Sequence, residues 1–185
     1  MTTTIKKLKE KFELGLESIC KSGSHELKKD LTIGDLAKFK EVLTAINNIL
    51  VIAQTCAFAD EIDVQQIKEI IENPNKNGFD IEYSEGNIKI LAELKATVPC
   101  GKNKKYGANQ KKSILGDLKN LSDKSKKSER LGIDLANYDK YIVLLKGQED
   151  AMKSMDRYAK EQGIKIKYID TEIKINKYEN FGWND

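Results

Sequence analysis

Histidine, cysteine, proline and tryptophan are scarce in this 185-residue chain, which has one His, three Cys, two Pro and one Trp. The single histidine, His25, argues against a His-dependent catalytic triad or a histidine metal site, so any metal ion is expected to have oxygen ligands. Cys20, Cys56 and Cys100 are widely spaced and form no CxxC pair, which indicates neither a disulfide framework nor a zinc site. The absence of GxGxxG and GxxxxGK[ST] argues against a doubly wound nucleotide-binding sheet.

We also expect neither a transmembrane helix nor a targeting signal. On this interpretation, no apolar stretch approaches the ~18 residues of a transmembrane helix. The N-terminal MTTTIKKLKEKFELGLES has no apolar signal core and contains acids that a transit peptide avoids. Because the composition is 39% hydrophobic and 33% charged, we expect a folded cytoplasmic protein without membrane contact, built as a single domain over residues 1–185.

Positive charge is concentrated in one segment, although the formal net charge is only +3. Residues 101–130 contain ten Lys or Arg and three acids, so the rest of the chain is net acidic. Such a block predicts a polyanionic partner bound at one place, whereas the simpler interpretation is a solvated, lysine-rich helix face.

Apolar periodicity predicts helices, then a hairpin, then helices alternating with strands. The predicted helices are 3–21, 35–58, 63–72, 108–121 and 149–162, and the predicted strands are 79–83, 87–96, one within 138–147 (YDKYIVLLKG) and one at 164–170 (IKIKYID). The order favours an α/β (α+β) fold: a mixed central sheet, with an antiparallel hairpin and helix-connected strands, flanked by helices. Within the domain, residues 1–72 are expected to be mostly helical, residues 73–170 to form the core, and residues 171–185 to form a tail.

The hairpin collects its charges on one face. With a turn centred on Glu85-Gly86, facing residues have numbers that sum to 171, so Asp80 faces Leu91 and lies diagonally from Glu93. One face is then apolar and the other carries the charges. The apolar face has Ile81, Tyr83, Ile88, Ile90, Ala92 and Leu94, and the other has Asp80, Glu82, Lys89, Leu91, Glu93 and Lys95.

Two carboxylates at this separation suit a hard divalent cation such as Mg²⁺, and a neighbouring lysine can polarise water or stabilise charge on a phosphate. A solvated hairpin face would carry similar charges. However, IKILAEL is almost wholly apolar around Glu93, which indicates a central strand that buries Glu93 for a reason. With the basic segment directly following, the residues point to metal-dependent phosphodiester cleavage.

Asp80 with Glu93-Leu94-Lys95, spaced as D-x12-E-x-K, resembles the motif of the PD-(D/E)XK nuclease superfamily, which has a restriction-endonuclease-like fold. Phe79 stands where the family name has Pro. The resemblance covers about residues 60–170 as architecture and implies that Asp80, Glu93 and the Leu94 backbone carbonyl bind Mg²⁺, with two ions per site or Mn²⁺ as a substitute. It further implies that Lys95 orients or activates the attacking water, and that cleavage leaves a 5′-phosphate.

Further residues are candidates for accessory roles. Some nucleases of this type carry a polar residue on the next helix, where Gln110 and Lys111 lie in the first turn, although Lys111 equally fits a side chain that extends past the core to water. A third acid from an N-terminal helix sometimes completes the metal shell, and the candidates are Glu41, Glu61, Glu69 and Glu72. The predicted DNA contacts are Lys102, Lys104, Lys105, Lys112 and Lys119, with loop 99–107 and stretch 122–138 flanking the site.

The sequence therefore predicts a Mg²⁺-dependent endonuclease acting on double-stranded DNA, of type II restriction-like character and homodimeric if its sites are palindromic. A repair, recombination or structure-specific nuclease of the same fold is an alternative. A nucleic-acid-binding protein without the chemistry is another, and a protein-binding phage or plasmid protein is a third.

Overall fold

The computed structural model describes residues 33–62, 78–97, 99, 105–122 and 125–173. The predicted helices 3–21 and 63–72 lie outside these residues, as does most of the tail. The chain divides into two compact units, Met1–Ala53 with Ile175–Asp185, and Gln54–Lys174. The sheet and the residues of the candidate site described below belong to the second unit.

Helix α1, Ile33–Glu61, extends the predicted helix 35–58 at both ends. Residues 42–59 contain no Asp, Glu, Lys or Arg. Segment Lys40–Glu61 is the one helix of the described chain with the length and apolar character to cross a membrane. The expectation that no segment approaches this length was therefore wrong. A core helix of a soluble protein has the same character, and just over half of this one is buried.

The second unit contains a four-stranded mixed sheet with strand order β1-β2-β3-β4. β1 pairs antiparallel with β2, while β2–β3 and β3–β4 are parallel, which confirms the predicted mixed sheet flanked by helices. The strands are β1 Ile81–Glu85, β2 Ile88–Lys95, β3 Asp139–Leu145 and β4 Ile164–Ile169. The helices between them are α2 Ala108–Leu121, α3 Lys126–Leu131 and α4 Glu149–Glu161, with a 3-10 turn at Leu135–Asn137.

The hairpin register differs from the prediction by two residues. Ile81 faces Ala92 and Glu85 faces Ile88, so facing numbers sum to 173 and the two-residue loop is Gly86-Asn87. Gly86 has φ of +55°, a conformation that glycine adopts without steric cost. Because side chains alternate with a period of two, a shift of two residues leaves every side chain on its predicted face.

The two faces of the sheet have different coverings. Leu91, Ile142 and Leu144 join the main core on one face. Helices α2, α3 and α4 cover this face, contributing among others Ile114, Leu118, Leu121, Met152 and Met155 to the core. On the opposite face, Phe58 from the last turns of α1 contacts the Tyr141 ring edge-on at 5.1 Å between centroids. Both faces of the central strands are thus covered, as the apolar run around Glu93 predicted.

Candidate functional site

Glu93 lies two residues before the C-terminal end of β2, on the face covered by α2 and α3, and is only 3% exposed. β2 is hydrogen-bonded to β1 on one side and β3 on the other, and Glu93 pairs in register with Ile142. Burying a carboxylate among apolar neighbours costs free energy unless it has charged or hydrogen-bonding partners. β2 therefore buries one carboxylate, that of Glu93, which requires a positively charged partner.

Asp80 directly precedes β1 and is exposed. Its Oδ2 accepts a hydrogen bond of 2.7 Å from the backbone N–H of Leu94. Ile81 pairs with Ala92, so Asp80 would face Glu93 if the pairing of β1 with β2 continued by one residue. The corrected register brings Asp80 closer to Glu93 than the predicted diagonal, and the Leu94 bond fixes the side chain at the end of β2.

Lys95 ends β2 two residues after Glu93 and shares its face. Its Nζ lies 2.8 Å from Oδ2 of Asp117, a residue of α2, and both side chains are mostly buried. This Oδ2 accepts no hydrogen bond of regular geometry from the described residues, so the contact is an ion pair held by charge. Asp117 was not among the predicted site residues.

A second lysine, Lys127, places its Nζ 2.5 Å from Oε1 of Glu93 and 4.5 Å from the centroid of the Phe79 ring. It belongs to the short helix α3. The Ser125 side chain caps the start of α3 by accepting from Ser128 N at 3.0 Å, and Gly132 ends it with φ of +67°. These end contacts position a six-residue helix that has too few residues to be stable alone.

The three carboxylates influence one another electrostatically. Burial raises the pKa of Glu93 to about 7, with the Lys127 hydrogen bond opposing this and the charge of Asp80 adding to it. Burial also raises the pKa of Asp117, with the Lys95 contact opposing and the Asp80 charge again adding. Asp80, Glu93 and Asp117 therefore repel one another, and Lys95 and Lys127 offset part of that repulsion. These five side chains form a charged cluster, which we call the pocket.

The donor chemistry of this pocket fits a hard divalent cation, since its ligands would be carboxylate oxygens of Asp80 and Glu93 and the Leu94 carbonyl. A carboxylate can accept at both oxygens, so the bond from Leu94 N to Asp80 Oδ2 is compatible with a cation at Oδ1. In the described portion of the chain, no three His, Cys, Asp or Glu side chains come close enough together to hold a metal ion. A site here would therefore rest on two acidic side chains and a backbone carbonyl.

The structure locates two of the predicted accessory residues, Gln110 and Lys111, in the first turn of α2, and it also locates two of the four candidate acids. Gln110 caps α2, because its Oε1 accepts from Gly107 N at 2.9 Å. Lys111 is half-buried in the first turn of α2, and its role stays a prediction. Glu61 pairs with Lys167 at 2.8 Å, and Lys167 lies on the sheet face opposite Glu93, so the structure does not bring Glu61 to Glu93. Glu69 and Glu72 lie outside the described residues, and Glu41 is an exposed residue of the first unit.

The basic segment, residues 101–130, follows Lys95 in the sequence and contains Asp117 and Lys127. Lys105, Lys112 and Lys119 are exposed, as a DNA contact requires, while Lys102 and Lys104 lie outside the described residues. Lys126 and Arg130 are exposed on α3, beside the paired Lys127. A cationic surface near the pocket could hold a phosphate backbone.

Asp117 and Lys127 were not among the predicted site residues, and a sequence pattern indicates only Asp117. Asp117 lies three residues after Ile114 and four before Leu121, both buried, so it falls on the buried stripe of α2. An acid on such a stripe needs a partner. Lys127 offers no such signal, because α3 is too short for periodicity and Glu93 is distant in sequence.

No protein-family model, no curated protein and no solved structure matches this chain.

Proposed function

We propose that this chain is a metal-dependent endonuclease that hydrolyses phosphodiester bonds of double-stranded DNA, with a PD-(D/E)XK-type site and fold. The observation that carries the proposal is the placement of Asp80, Glu93 and Lys95 at one end of β2, with Glu93 almost fully buried. An acid held in this position by a strand that is paired on both sides is unusual for a surface hairpin.

Asp80, Glu93 and the Leu94 carbonyl would hold Mg²⁺, or Mn²⁺ in its place, and two ions per site are compatible with the proposal. When bound, the cation would supply positive charge to stabilise the phosphate oxygens during hydrolysis. Lys95 would orient the attacking water through its ammonium group. Asp117 holds that ammonium at 2.8 Å, which restricts an otherwise flexible side chain.

The charge balance of the pocket supports this assignment. Three carboxylates and two lysines give one net negative charge when all are ionised. A divalent cation would offset this negative charge and so remove the repulsion of a phosphodiester. The pocket without a cation would repel the same phosphate, so DNA binding and metal binding should support each other.

We propose a type II restriction-like role, in which the exposed lysines bind the DNA backbone and a twofold dimer cuts both strands of a palindromic site. A repair, recombination or structure-specific nuclease would use the same chemistry. The sequences at the cut ends distinguish these roles: a short common sequence supports restriction, and cuts at junctions or flaps support the alternative.

One observation favours a second candidate, a nucleic-acid-binding protein without catalysis. Glu93 and Asp117 each already have a lysine partner, so the pocket is partly neutralised without a metal ion. Under this alternative the pairs would have a structural role only, and DNA would bind equally well with or without Mg²⁺.

The test is incubation of the purified chain with supercoiled plasmid and Mg²⁺, beside EDTA and a Glu93→Gln variant. Sequencing of the product ends then gives the cut position. Glu161→Gln is a matched control, because Glu161 is an exposed glutamate on α4. Nicked or linear DNA from the natural chain and the control alone would support the proposal. DNA binding without cleavage under Mg²⁺ and Mn²⁺ would favour the second candidate.

A further inference from the structure

The contact between Lys127 and Glu93 has an unusual position. Lys127 Nζ lies 2.5 Å from Oε1 of Glu93, whose carboxylate the proposed function assigns to a divalent cation. The Lys127 side chain is 16% exposed and that of Glu93 is 4% exposed, so the pair is shielded from water. Screening by solvent and salt is weak at such a pair, and the ammonium is therefore an effective partner for the acid.

An ammonium and a metal cation at the same carboxylate compete with each other. Both are positive, so they repel at short range in a pocket of low dielectric constant. Lys95 cannot serve as the neutralising partner of Glu93 in the same way, because its ammonium is engaged by Asp117.

The structural setting of Lys127 favours its displacement from Glu93. Its side chain is a flexible four-carbon stem, and its ammonium meets Glu93 as a point charge rather than through the two-point contact of an arginine. The helix that carries it is six residues long and lies between residues 121 and 135, outside the sheet. Its neighbours Lys126 and Arg130 are exposed, so a displaced Lys127 would join an existing cationic surface.

We propose that Lys127 occupies the cation position at Glu93 and is displaced when a divalent cation binds, an inference that rests on the proposed function. Lys127 then neutralises Glu93 in the metal-free protein and weakens cation binding. Displacement adds its ammonium to the surface that holds DNA, so the cation and the phosphate backbone are recruited together.

Mn²⁺ is the probe, because its electron paramagnetic resonance signal measures the concentration of free Mn²⁺. The bound fraction follows by difference from the total. We compare the natural chain with Lys127→Gln, which keeps a hydrogen-bond donor and removes the charge. Lys153→Gln is the control, since it removes the charge of an exposed lysine on α4. Lys127→Gln should bind Mn²⁺ about tenfold more tightly, within the usual range of coupling between two sites, and Lys153→Gln should bind as the natural chain does.

A second measurement uses the natural chain alone, in case Lys127→Gln does not fold. Brief acetylation followed by mass spectrometry reports the reactivity of each lysine. Addition of Mn²⁺ should increase the acetylation of Lys127 severalfold, because its ammonium is released from Glu93. Acetylation of Lys126, which is already exposed, should not change.

The outcomes separate the two proposals. If the natural chain binds Mn²⁺ and cuts DNA while Lys127→Gln has the same Mn²⁺ affinity, the displacement is wrong and the nuclease assignment stands. Unchanged or slower acetylation of Lys127 in Mn²⁺ leads to the same conclusion. If the natural chain neither binds Mn²⁺ nor cuts DNA, both proposals are wrong.

Discussion

The Nζ atom of Lys95, at the end of β2, lies 2.8 Å from Oδ2 of Asp117 in α2. This ion pair joins the central strand to the helix that covers it. It also gives Asp117 a defined task in the proposed reaction, since the carboxylate fixes where the ammonium of Lys95 points.

Asp117→Asn should reduce the kcat of DNA cleavage by about 10- to 100-fold, because a misplaced ammonium no longer orients water correctly. The KM for DNA should stay within about twofold, since Asp117 has no proposed DNA contact. Steady-state cleavage of a plasmid or oligonucleotide measures both constants. Asp156→Asn, which removes a half-buried carboxylate on α4 that pairs with Lys160, should change neither. An unchanged kcat for Asp117→Asn would contradict the positioning role.

Two substitutions of Asp80 separate charge from hydrogen bonding. Asp80→Asn keeps an oxygen that can accept from Leu94 N, whereas Asp80→Ala removes it. Both should abolish cleavage, and only Asp80→Ala should also lower the free energy of unfolding, by about 1 kcal/mol. Urea denaturation followed by circular dichroism gives the second quantity. Equal destabilisation by both variants would mean that the charge, and not the hydrogen bond, holds β1 to β2 here.

The exposed lysines on α2 should contribute to DNA affinity through phosphate contacts. Lys112→Gln and Lys119→Gln should each weaken binding to all DNA sequences alike and reduce the slope of log K against log salt by about 0.9. Fluorescence anisotropy between low and moderate salt measures the slope. Lys153→Gln, an exposed lysine of α4 paired with Asp150, serves as the reference, and an equal effect there would indicate general charge rather than a DNA surface.

Cys56 should be chemically inert in the folded protein. It is fully buried in α1, and burial raises its pKa to about 12. Iodoacetamide at pH 8 should therefore leave it unmodified until urea unfolds the chain, which peptide mass spectrometry can follow. Because the folded state holds this proton more tightly than the unfolded state, its contribution to stability is complete below about pH 9 and is lost toward pH 12. Cys56→Ala should remove that component of the pH dependence, and rapid alkylation in native buffer would show that the thiol is accessible.

Much of the fold follows from the sequence, because periodicity reports which face of an element is buried. The predicted helix at 108–121 has the observed bounds, and the predicted strands at 138–147 and 164–170 contain β3 and β4. The exact hairpin register does not follow. Registers that differ by two residues place the same side chains on the same faces, so alternation alone cannot distinguish them. In the observed register Gly86 is the first residue of the two-residue loop.

The candidate site is predictable to a smaller extent. Asp80, Glu93 and Lys95 are close in sequence and share a face, so local alternation brings them together. Asp117 and Lys127 reach the pocket only through the packing of α2 and α3 on the sheet. That packing depends on contacts between residues far apart in the chain. A charged residue on a buried helical stripe, as at Asp117, is the element of this arrangement that a sequence can reveal.

The position of β2 between β1 and β3 has a consequence for hydrogen exchange. The amides around Glu93 can open only when pairing on β2 is broken, so they should exchange with solvent near the rate of global unfolding. Lys127 is on a short helix outside the sheet, whose amides should exchange through local opening at a much lower free energy. Glu93 should therefore stay in place as long as the protein is folded. The helix that carries Lys127 should be able to open without the rest of the protein.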